Sequence, residues 1–112
     1  MEFDENRPIY LQISDGICEK ALSGTFKPGE RIPSVRDWAA GIGVNPNTVA
    51  RSYDTLTERG VIYNKRGIGY FLSEDAVSLI RNEEKRKFME EELPAFCKRA
   101  ELLGINLKEI LK

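Results

Sequence analysis

The first residues of one predicted helix have the chemistry to read the edges of nucleic-acid bases. The sequence NPNTVARS begins at position 45 and places small polar side chains and an arginine within two turns. Asn can bond bidentately to adenine and Arg to guanine, and the candidate contacts are Asn45, Asn47, Thr48, Arg51 and Ser52. The alternative is that Asn47 and Thr48 only satisfy the unpaired N–H groups of a helix start.

The composition argues against an enzyme. The 112-residue chain contains no histidine, which removes the usual general base and the commonest metal ligand. No serine has a base partner at a suggestive spacing, and Cys18 and Cys97 occur without a CxxC or Cys/His cluster. We therefore predict no catalytic residue, no metal site and no cofactor. We expect both cysteines to be reduced, small core residues.

Charge is distributed unevenly along the chain. The net charge of −1 weighs against nucleic-acid binding, because domains that bind nucleic acid are usually basic. Residues 31–73 nevertheless contain six basic and three acidic side chains, while the parts before and after them are net negative. A positive face can therefore exist on an acidic protein.

The sequence predicts neither a membrane segment nor a secretory signal. No apolar run approaches the roughly 18 to 20 residues that span a bilayer. The N-terminus MEFDENRPIY is acidic and lacks the apolar region of a signal peptide. We therefore expect a cytoplasmic protein that does not bind membranes.

Proline, glycine and apolar spacing predict two helices before the polar stretch. The first runs from about Pro8 to Leu22, with apolar residues every four positions and Tyr10 widening the apolar face. The second begins at Ser34 in the sequence SVRD, which has the form of a capping box, and ends near Gly43.

The polar stretch itself begins a third helix, which a hairpin follows. Asn45 is the predicted N-cap, and the apolar residues Tyr53 and Leu56 face inward. The outward face then carries the polar residues, Arg51 and Ser52 among them. Two β-rich runs, at positions 61–63 and 69–72, flank a basic tip that contains glycine.

Helix, helix, tight turn, helix and basic hairpin together predict a winged helix-turn-helix. The expected fold class is mostly α with a small β-hairpin. Residues 1–73 are the predicted DNA-binding domain, and residues 74–112 are a short C-terminal helical dimerisation segment. Lys65 and Arg66 at the hairpin tip are candidate DNA contacts; alternatively, they are charges that protect an edge strand.

The stretch IPSVRDWAAGIGVNPNTVARSYDTLTERGVI, followed by RGIGYFL, resembles the DNA-binding domain of the GntR family of bacterial transcription regulators. The opening RPIYLQISDGI and the short tail resemble its YtrA-like subgroup. This resemblance implies a sequence-specific repressor that binds a palindromic DNA operator as a homodimer. It also implies that Gly67 and Gly69 bring the wing close to the minor groove.

The resemblance assigns roles to residues of the helix-turn-helix as well. Ser34 and Arg36 match positions that contact the phosphate backbone, and Asn47 and Thr48 match reading positions. Many members have arginine directly after Thr-Val, whereas this chain has Ala50 there and the arginine follows. The arginine can therefore reach a different base or a phosphate. On charge alone, Arg36 could instead pair with Asp37 or Asp54, at a gain of about 0 to 1 kcal/mol.

The tail is too short for the ligand-binding domain of larger family members. Two short helices cannot bury an apolar stripe alone, and a two-fold dimer would hold two reading helices about one DNA turn, ~34 Å, apart. The predicted dimer core consists of apolar side chains: Val77, Ile80, Phe88, Leu93, Phe96, Leu103 and Ile105. Alternatively, the tail folds back on the first helix. Pro94 either kinks one tail helix or separates two.

Two further questions stay open at this level. A winged helix can serve protein–protein assembly without specific DNA binding, although the polarity of Asn47, Thr48 and Arg51 favours DNA. The sequence carries no signature of a small-molecule effector. Regulation with an effector and regulation without one are equally compatible with it.

Overall fold

The protein, seen here as a computed structural model that describes residues 3–112, is mostly helical and has one antiparallel hairpin. This confirms the predicted fold class. The chain divides into two compact units, an N-terminal unit that ends at Ile80 and a C-terminal unit, Arg81–Lys112. The elements in chain order are α1 (Ile9–Leu22), α2 (Val35–Ile42), α3 (Pro46–Glu58), β1 (Ile62–Lys65), β2 (Gly69–Leu72), α4 (Ala76–Lys87), a π-helical turn (Phe88–Glu92), α5 (Leu93–Leu102) and α6 (Leu107–Ile110).

Helix α1 is joined to α3 by an apolar face and by two serine hydroxyls. Ile13 and Ile17, four residues apart, are completely buried. Ser52 of α3 donates its hydroxyl to the backbone carbonyl of Tyr10 at 2.6 Å, and Ser14 of α1 donates its hydroxyl to the backbone carbonyl of Ser52 at 3.5 Å. These two hydrogen bonds fix where α1 lies along α3.

Helices α2 and α3 begin at the predicted caps. The hydroxyl of Ser34 accepts the N–H of Asp37 at 3.1 Å, and Oδ1 of Asn45 accepts the N–H of Asn47 at 2.8 Å. Between them α2 ends at Gly43, whose φ of +68° lies in the left-handed region that favours glycine. The tight turn of the helix-turn-helix therefore follows from local sequence.

The core of the N-terminal unit is centred on α3. Tyr53 and Leu56 are completely buried. The Tyr53 hydroxyl donates to the carbonyl of Pro33 at 2.5 Å, and its ring meets the ring of Tyr70 edge-on at 4.9 Å. Burial, with smaller contributions from Tyr70 and Asp37, raises the pKa of Tyr53. The phenol therefore remains a hydrogen-bond donor throughout the physiological pH range.

The hairpin gains a third, short pairing partner from the segment before α2. Strands β1 and β2 are antiparallel, with Ile62 opposite Leu72. On the other edge of β2, the N–H of Ile32 donates to the carbonyl of Tyr70 at 2.9 Å. The hairpin is therefore anchored on both sides of β2, and the turn between the strands is only residues 66–68 long.

The beginning of α4 belongs to the N-terminal unit. Ala76 and Ile80, one helical turn apart, are completely buried in its core. This corrects the prediction that Ile80 lies in a dimer core, because its side chain has no exposed surface left to offer a partner. The first compact unit therefore continues past Ser73, where the sequence suggested its end.

The chain stays helical through Pro94. Proline has no N–H, and its ring displaces the carbonyl four residues earlier. The structure accommodates this with the π-helical turn, in which the N–H of Leu93 donates to the carbonyl of Phe88. Glu92 and Leu93 keep helical dihedral angles, with φ of −74° and −64°. Pro94 thus lies in the first turn of α5, and the chain before it is helical without a break.

The two cysteines differ in environment. Cys18 is buried, as predicted, whereas Cys97 of α5 is exposed, so the prediction of a core position is wrong for Cys97. The C-terminal unit has almost no interior, since Ala100 is the only buried residue in 81–112. No helix within residues 3–112 is long and apolar enough to cross a membrane.

Candidate nucleic-acid interface

The first turns of α3 present the polar surface that the sequence suggested. Asn47 and Arg51 are exposed, and Thr48 is half-buried beside them. Asn45 is exposed as well, but its Oδ1 is engaged in the helix cap, which leaves its amide N–H groups available. Within residues 3–112 the side chains of Asn47 and Thr48 form no hydrogen bond, so the cap depends on Asn45 and these two remain available to a ligand.

Ser52 does not belong to this surface. The prediction placed it outward with Arg51, whereas its side chain is 0% exposed. It lies three residues after Val49 and four before Leu56, which is the buried stripe of α3. Its hydroxyl bonds to the backbone carbonyls of Tyr10 and Thr48. The residue is therefore a hydrogen-bonded contact between helices and cannot touch DNA.

Arg51 lies over the ring of Tyr10. Its guanidinium carbon is 4.0 Å from the ring centroid. The two residues also line an open hollow of about 550 Å³ between the start of α1 and the start of α3, together with Pro8, Ile9, Asn47 and Thr48. The sequence indicated Tyr10 only as part of the apolar face of α1. Its position at the edge of that face, next to the helix start, was the only signal of a second role.

Helix α2 contributes an exposed cation at its first turn. Arg36 is exposed and forms no ion pair with any residue from 3 to 112, so the pairing with Asp37 or Asp54 that charge alone allowed does not occur. Ser34 is half-buried, and its hydroxyl is engaged with the N–H of Asp37. An arginine without a protein partner at a helix start suits contact with a phosphate.

In the wing, Lys65 lies against two stacked aromatic rings. The rings of Tyr63 and Phe71 stack at 5.7 Å, and Nζ of Lys65 lies 4.6 Å from the Phe71 centroid. Arg66 and Gly67 in the turn are exposed. Because Lys65 is held on a ring at the start of the turn, the tip presents positive charge in a defined place.

Arg31 is a wing residue that the sequence analysis counted only as a charge. Gly69 has a φ of +144°, and a Cβ atom there would lie 2.7 Å from Nε of Arg31. The Arg31 side chain therefore crosses directly over Gly69 at the edge of the hairpin. The pairing of the segment before α2 with β2 brings it there, and a motif search along the chain cannot detect such a neighbour.

The predicted dimer residues fall into two groups. Val77 is half-buried and Ile80 buried at the end of the N-terminal unit. In the C-terminal unit Leu93 is half-buried, while the remaining apolar residues are exposed: Phe88, Phe96, Leu103 and Ile105. Four further apolar side chains of this unit are exposed and were not among the predicted dimer residues: Met89, Leu102, Ile110 and Leu111.

The N-terminal unit thus combines a capped helix-turn-helix, exposed amide and guanidinium groups at the start of its second helix, and a basic hairpin. These are the parts of a winged-helix DNA-binding protein, in which the second helix of the motif reads the major groove. Residues 3–112 contain no group of three or more side chains that could hold a metal ion.

Comparison with known proteins agrees with this class. The family model described as bacterial regulatory proteins, gntR family, matches residues 9–72. The HTH-type transcriptional repressor YtrA of Bacillus subtilis is 38% identical over 103 residues, which cover 92% of this chain and 78% of YtrA. A GntR-family transcriptional regulator from Bacteroides thetaiotaomicron is 48% identical, with a TM-score of 0.76 and coverage of 91% of this chain and 88% of the other.

A further solved structure contains DNA. The DNA-binding domain of AraR in complex with operator ORR3 is 26% identical, with a TM-score of 0.58, and the match covers 65% of this chain and 86% of that domain. The chain belongs to the GntR family of bacterial transcription regulators, and it is similar to YtrA. The family assignment confirms a DNA-binding regulator and not an enzyme.

Proposed function

We propose that this protein is a sequence-specific repressor that binds a palindromic operator as a homodimer. Asn47, Thr48 and Arg51 would read bases in the major groove. Arg36 and Ser34 would contact phosphates. The exposed wing would lie along the minor groove, and its glycines Gly67 and Gly69 would let the protein backbone come close to the DNA. A regulator of this kind works on the bacterial chromosome, so we propose that it acts in the cytoplasm.

The observation that carries the proposal is the surface of α3. Asn47 and Arg51 lie four residues apart, hence on one face of the helix, and both are exposed. Neither uses its side chain in a hydrogen bond or ion pair within residues 3–112. A helix that only packs on its own domain needs no such groups, whereas bidentate reading of adenine and guanine needs them.

The positive charge of the wing favours DNA as the partner of this surface and argues against another protein. Lys65, Arg66 and Arg31 surround the turn. A protein-assembly surface usually has a core from which charged residues are depleted, and this surface has the opposite composition. AraR's DNA-binding domain and YtrA, the first solved with an operator and the second named a repressor, support operator binding and repression by analogy.

The C-terminal unit supports the homodimer. Phe96 is 60% exposed and Leu103 is 59% exposed, and both lie in a unit with a single buried residue. A monomer would leave this apolar surface in water, at a cost of about 25 cal/mol for each Å². A second copy offers the same surface and would give the two-fold symmetry that a palindromic operator requires.

The test is selection of binding sites from a random duplex DNA pool at two salt concentrations. We expect a two-fold-symmetric motif whose affinity falls with salt by about 0.9 log units per log unit for each phosphate neutralised. Asn47→Ala combined with Arg51→Ala should abolish the motif. The matched control is Arg81→Ala combined with Asn82→Ala, which removes the same residue types from an exposed part of α4.

The control pair should leave the motif intact. A motif without two-fold symmetry would contradict the homodimer. Absence of any enriched sequence, with salt-insensitive capture of a protein partner, would contradict operator binding and favour assembly through the winged helix.

A further inference from the structure

We infer that Tyr10 of α1 is a positioning residue for Arg51, and that it holds the guanidinium as a fixed set of donors that selects guanine. The inference rests on the proposed function, since it concerns how the same α3 surface reads an operator. It assigns a role in specificity to a helix that packs behind the reading helix and that the sequence indicated only as part of the core.

Arg51 of α3 is in direct contact with the ring of Tyr10. The Arg51 guanidinium carbon is 4.0 Å from the Tyr10 ring centroid, and Arg51 is exposed while Tyr10 is half-buried. No hydrogen bond or ion pair to residues 3–112 occupies the Arg51 donors. The ring therefore restrains the long side chain and leaves its N–H groups for DNA.

Tyr10 is itself fixed to α3, next to Arg51. Its backbone carbonyl accepts the hydroxyl of Ser52 at 2.6 Å. Ser52 directly follows Arg51 in the chain. The Tyr10 backbone is thus anchored to the residue next to Arg51, which holds the Tyr10 ring beside the guanidinium.

A guanidinium held on an aromatic ring suits a guanine base better than a phosphate. A restrained guanidinium loses little conformational freedom on binding and presents its donors in one plane, which matches the O6 and N7 acceptors of guanine. A phosphate contact needs only charge within reach and gains less from such restraint. Asn47, one helical turn earlier on the same face, would then read a base close to this guanine.

The experiment measures affinity for the site selected by the wild-type protein and for sites with each base pair replaced in turn. Tyr10→Leu removes the ring, and Tyr10→Phe keeps it. We expect Tyr10→Leu to weaken binding to the selected site about fivefold and to reduce the preference for one guanine. Tyr10→Phe should remain within about twofold of the wild type at every position.

Two further variants separate positioning from a structural role. In the Arg51→Ala background, Tyr10→Leu should have no additional effect on the base preferences, because the residue that it positions is absent. Arg51→Lys keeps the charge on an exposed side chain and loses the planar donors. It should weaken the same guanine preference, because a flexible ammonium is less well oriented toward O6 and N7, and it should keep the salt dependence, even if Tyr10→Leu proves unstable.

Several outcomes would overturn the inference. One is an unchanged base profile in Tyr10→Leu. Another is a loss of affinity that is equal for all sequences, with a smaller salt slope, which would assign Arg51 to a phosphate. A guanine preference in Arg51→Lys as strong as in the wild type would also contradict it. If the wild-type protein selects no motif, the proposed function fails first and the inference fails with it, whereas a motif unaffected by Tyr10→Leu contradicts only the inference.

Discussion

The two units of this chain differ in how much apolar side-chain surface they bury. The N-terminal unit buries large side chains such as Ile17, Tyr53 and Leu56 completely. The C-terminal unit, Arg81–Lys112, buries only Ala100 and exposes residues as large as Phe96. The N-terminal unit packs its apolar side chains against one another, and we propose that the C-terminal unit packs its apolar side chains against a second copy of the chain. On the proposed function, the N-terminal unit binds DNA and the C-terminal unit joins two copies of the chain.

The largest expected effect is loss of stability in the N-terminal unit. Leu56→Ala should lower the free energy of unfolding by about 2 to 5 kcal/mol, because it leaves a cavity in a packed core. Urea unfolding followed by the fluorescence of Trp38, the only tryptophan, measures it. Leu103→Ala is the matched change in the C-terminal unit. In dilute protein, Leu103→Ala should change the free energy of unfolding measured from Trp38 by less than about 0.5 kcal/mol. A loss as large as that of Leu56→Ala would contradict the difference between the two units.

The next effect concerns pairing. Phe96→Glu should weaken self-association about a hundredfold, since it buries a carboxylate in an apolar interface. Light scattering across a concentration series gives the mass, and Trp38 fluorescence reports whether the N-terminal unit stays folded. Lys98→Glu introduces a carboxylate on the same helix outside the apolar set and should leave the mass unchanged. An unaltered mass for Phe96→Glu would favour a tail that packs within its own chain.

A smaller effect tests the polar contact inside the N-terminal core. Tyr53→Phe removes the hydrogen bond to the Pro33 carbonyl and should cost about 1 to 2 kcal/mol near neutral pH. Because the folded-state pKa of Tyr53 is raised, its contribution is fully present below the unfolded pKa of about 10 and declines as pH rises above it. The difference between wild type and Tyr53→Phe should therefore shrink above about pH 10. A constant difference in urea unfolding from pH 8 to 11 would contradict this account.

The smallest effect compares helix caps in the two units. Ser34→Ala removes the acceptor for the N–H of Asp37 and should cost about 1 kcal/mol in urea unfolding. Asn106→Ala removes the equivalent acceptor for the N–H of Lys108 in α6. Since α6 has no buried residue, we expect no measurable change in the Trp38 transition. A larger loss for Asn106→Ala would mean that the C-terminal unit supports the N-terminal core.

Local signals explain why much of the fold could be predicted. Ser34, Gly43 and Asn45 each act through neighbours in the chain, so caps and the tight turn are readable from sequence. Ser52 was misassigned because its polarity suggested water, whereas its helical position is on the buried stripe and its hydroxyl finds carbonyls. Ile80 was misassigned because nothing local shows that α4 begins inside the first core.

The candidate site was predictable in composition and not in its contacts. The exposed side chains of α3 follow from the helical period and the cap. The contact of Arg51 with Tyr10 joins positions 41 residues apart, and Arg31 reaches Gly69 through strand pairing. Such contacts depend on tertiary packing, so a motif shows which residues are available and the fold shows which of them restrain each other.

The π-helical turn before Pro94 has a consequence for the phase of the residues that follow it. One additional residue in a turn rotates all later side chains by about 100° around the helix axis relative to an uninterrupted α-helix. Phe96 and Cys97 therefore owe their angular positions to the turn at Phe88–Glu92. Deletion of Met89 would remove this additional residue, so it would restore an α-helical repeat and leave the side chains that α5 presents unchanged. The set of side chains that α5 exposes thus depends on the hydrogen-bond pattern of the preceding turn as well as on residue types.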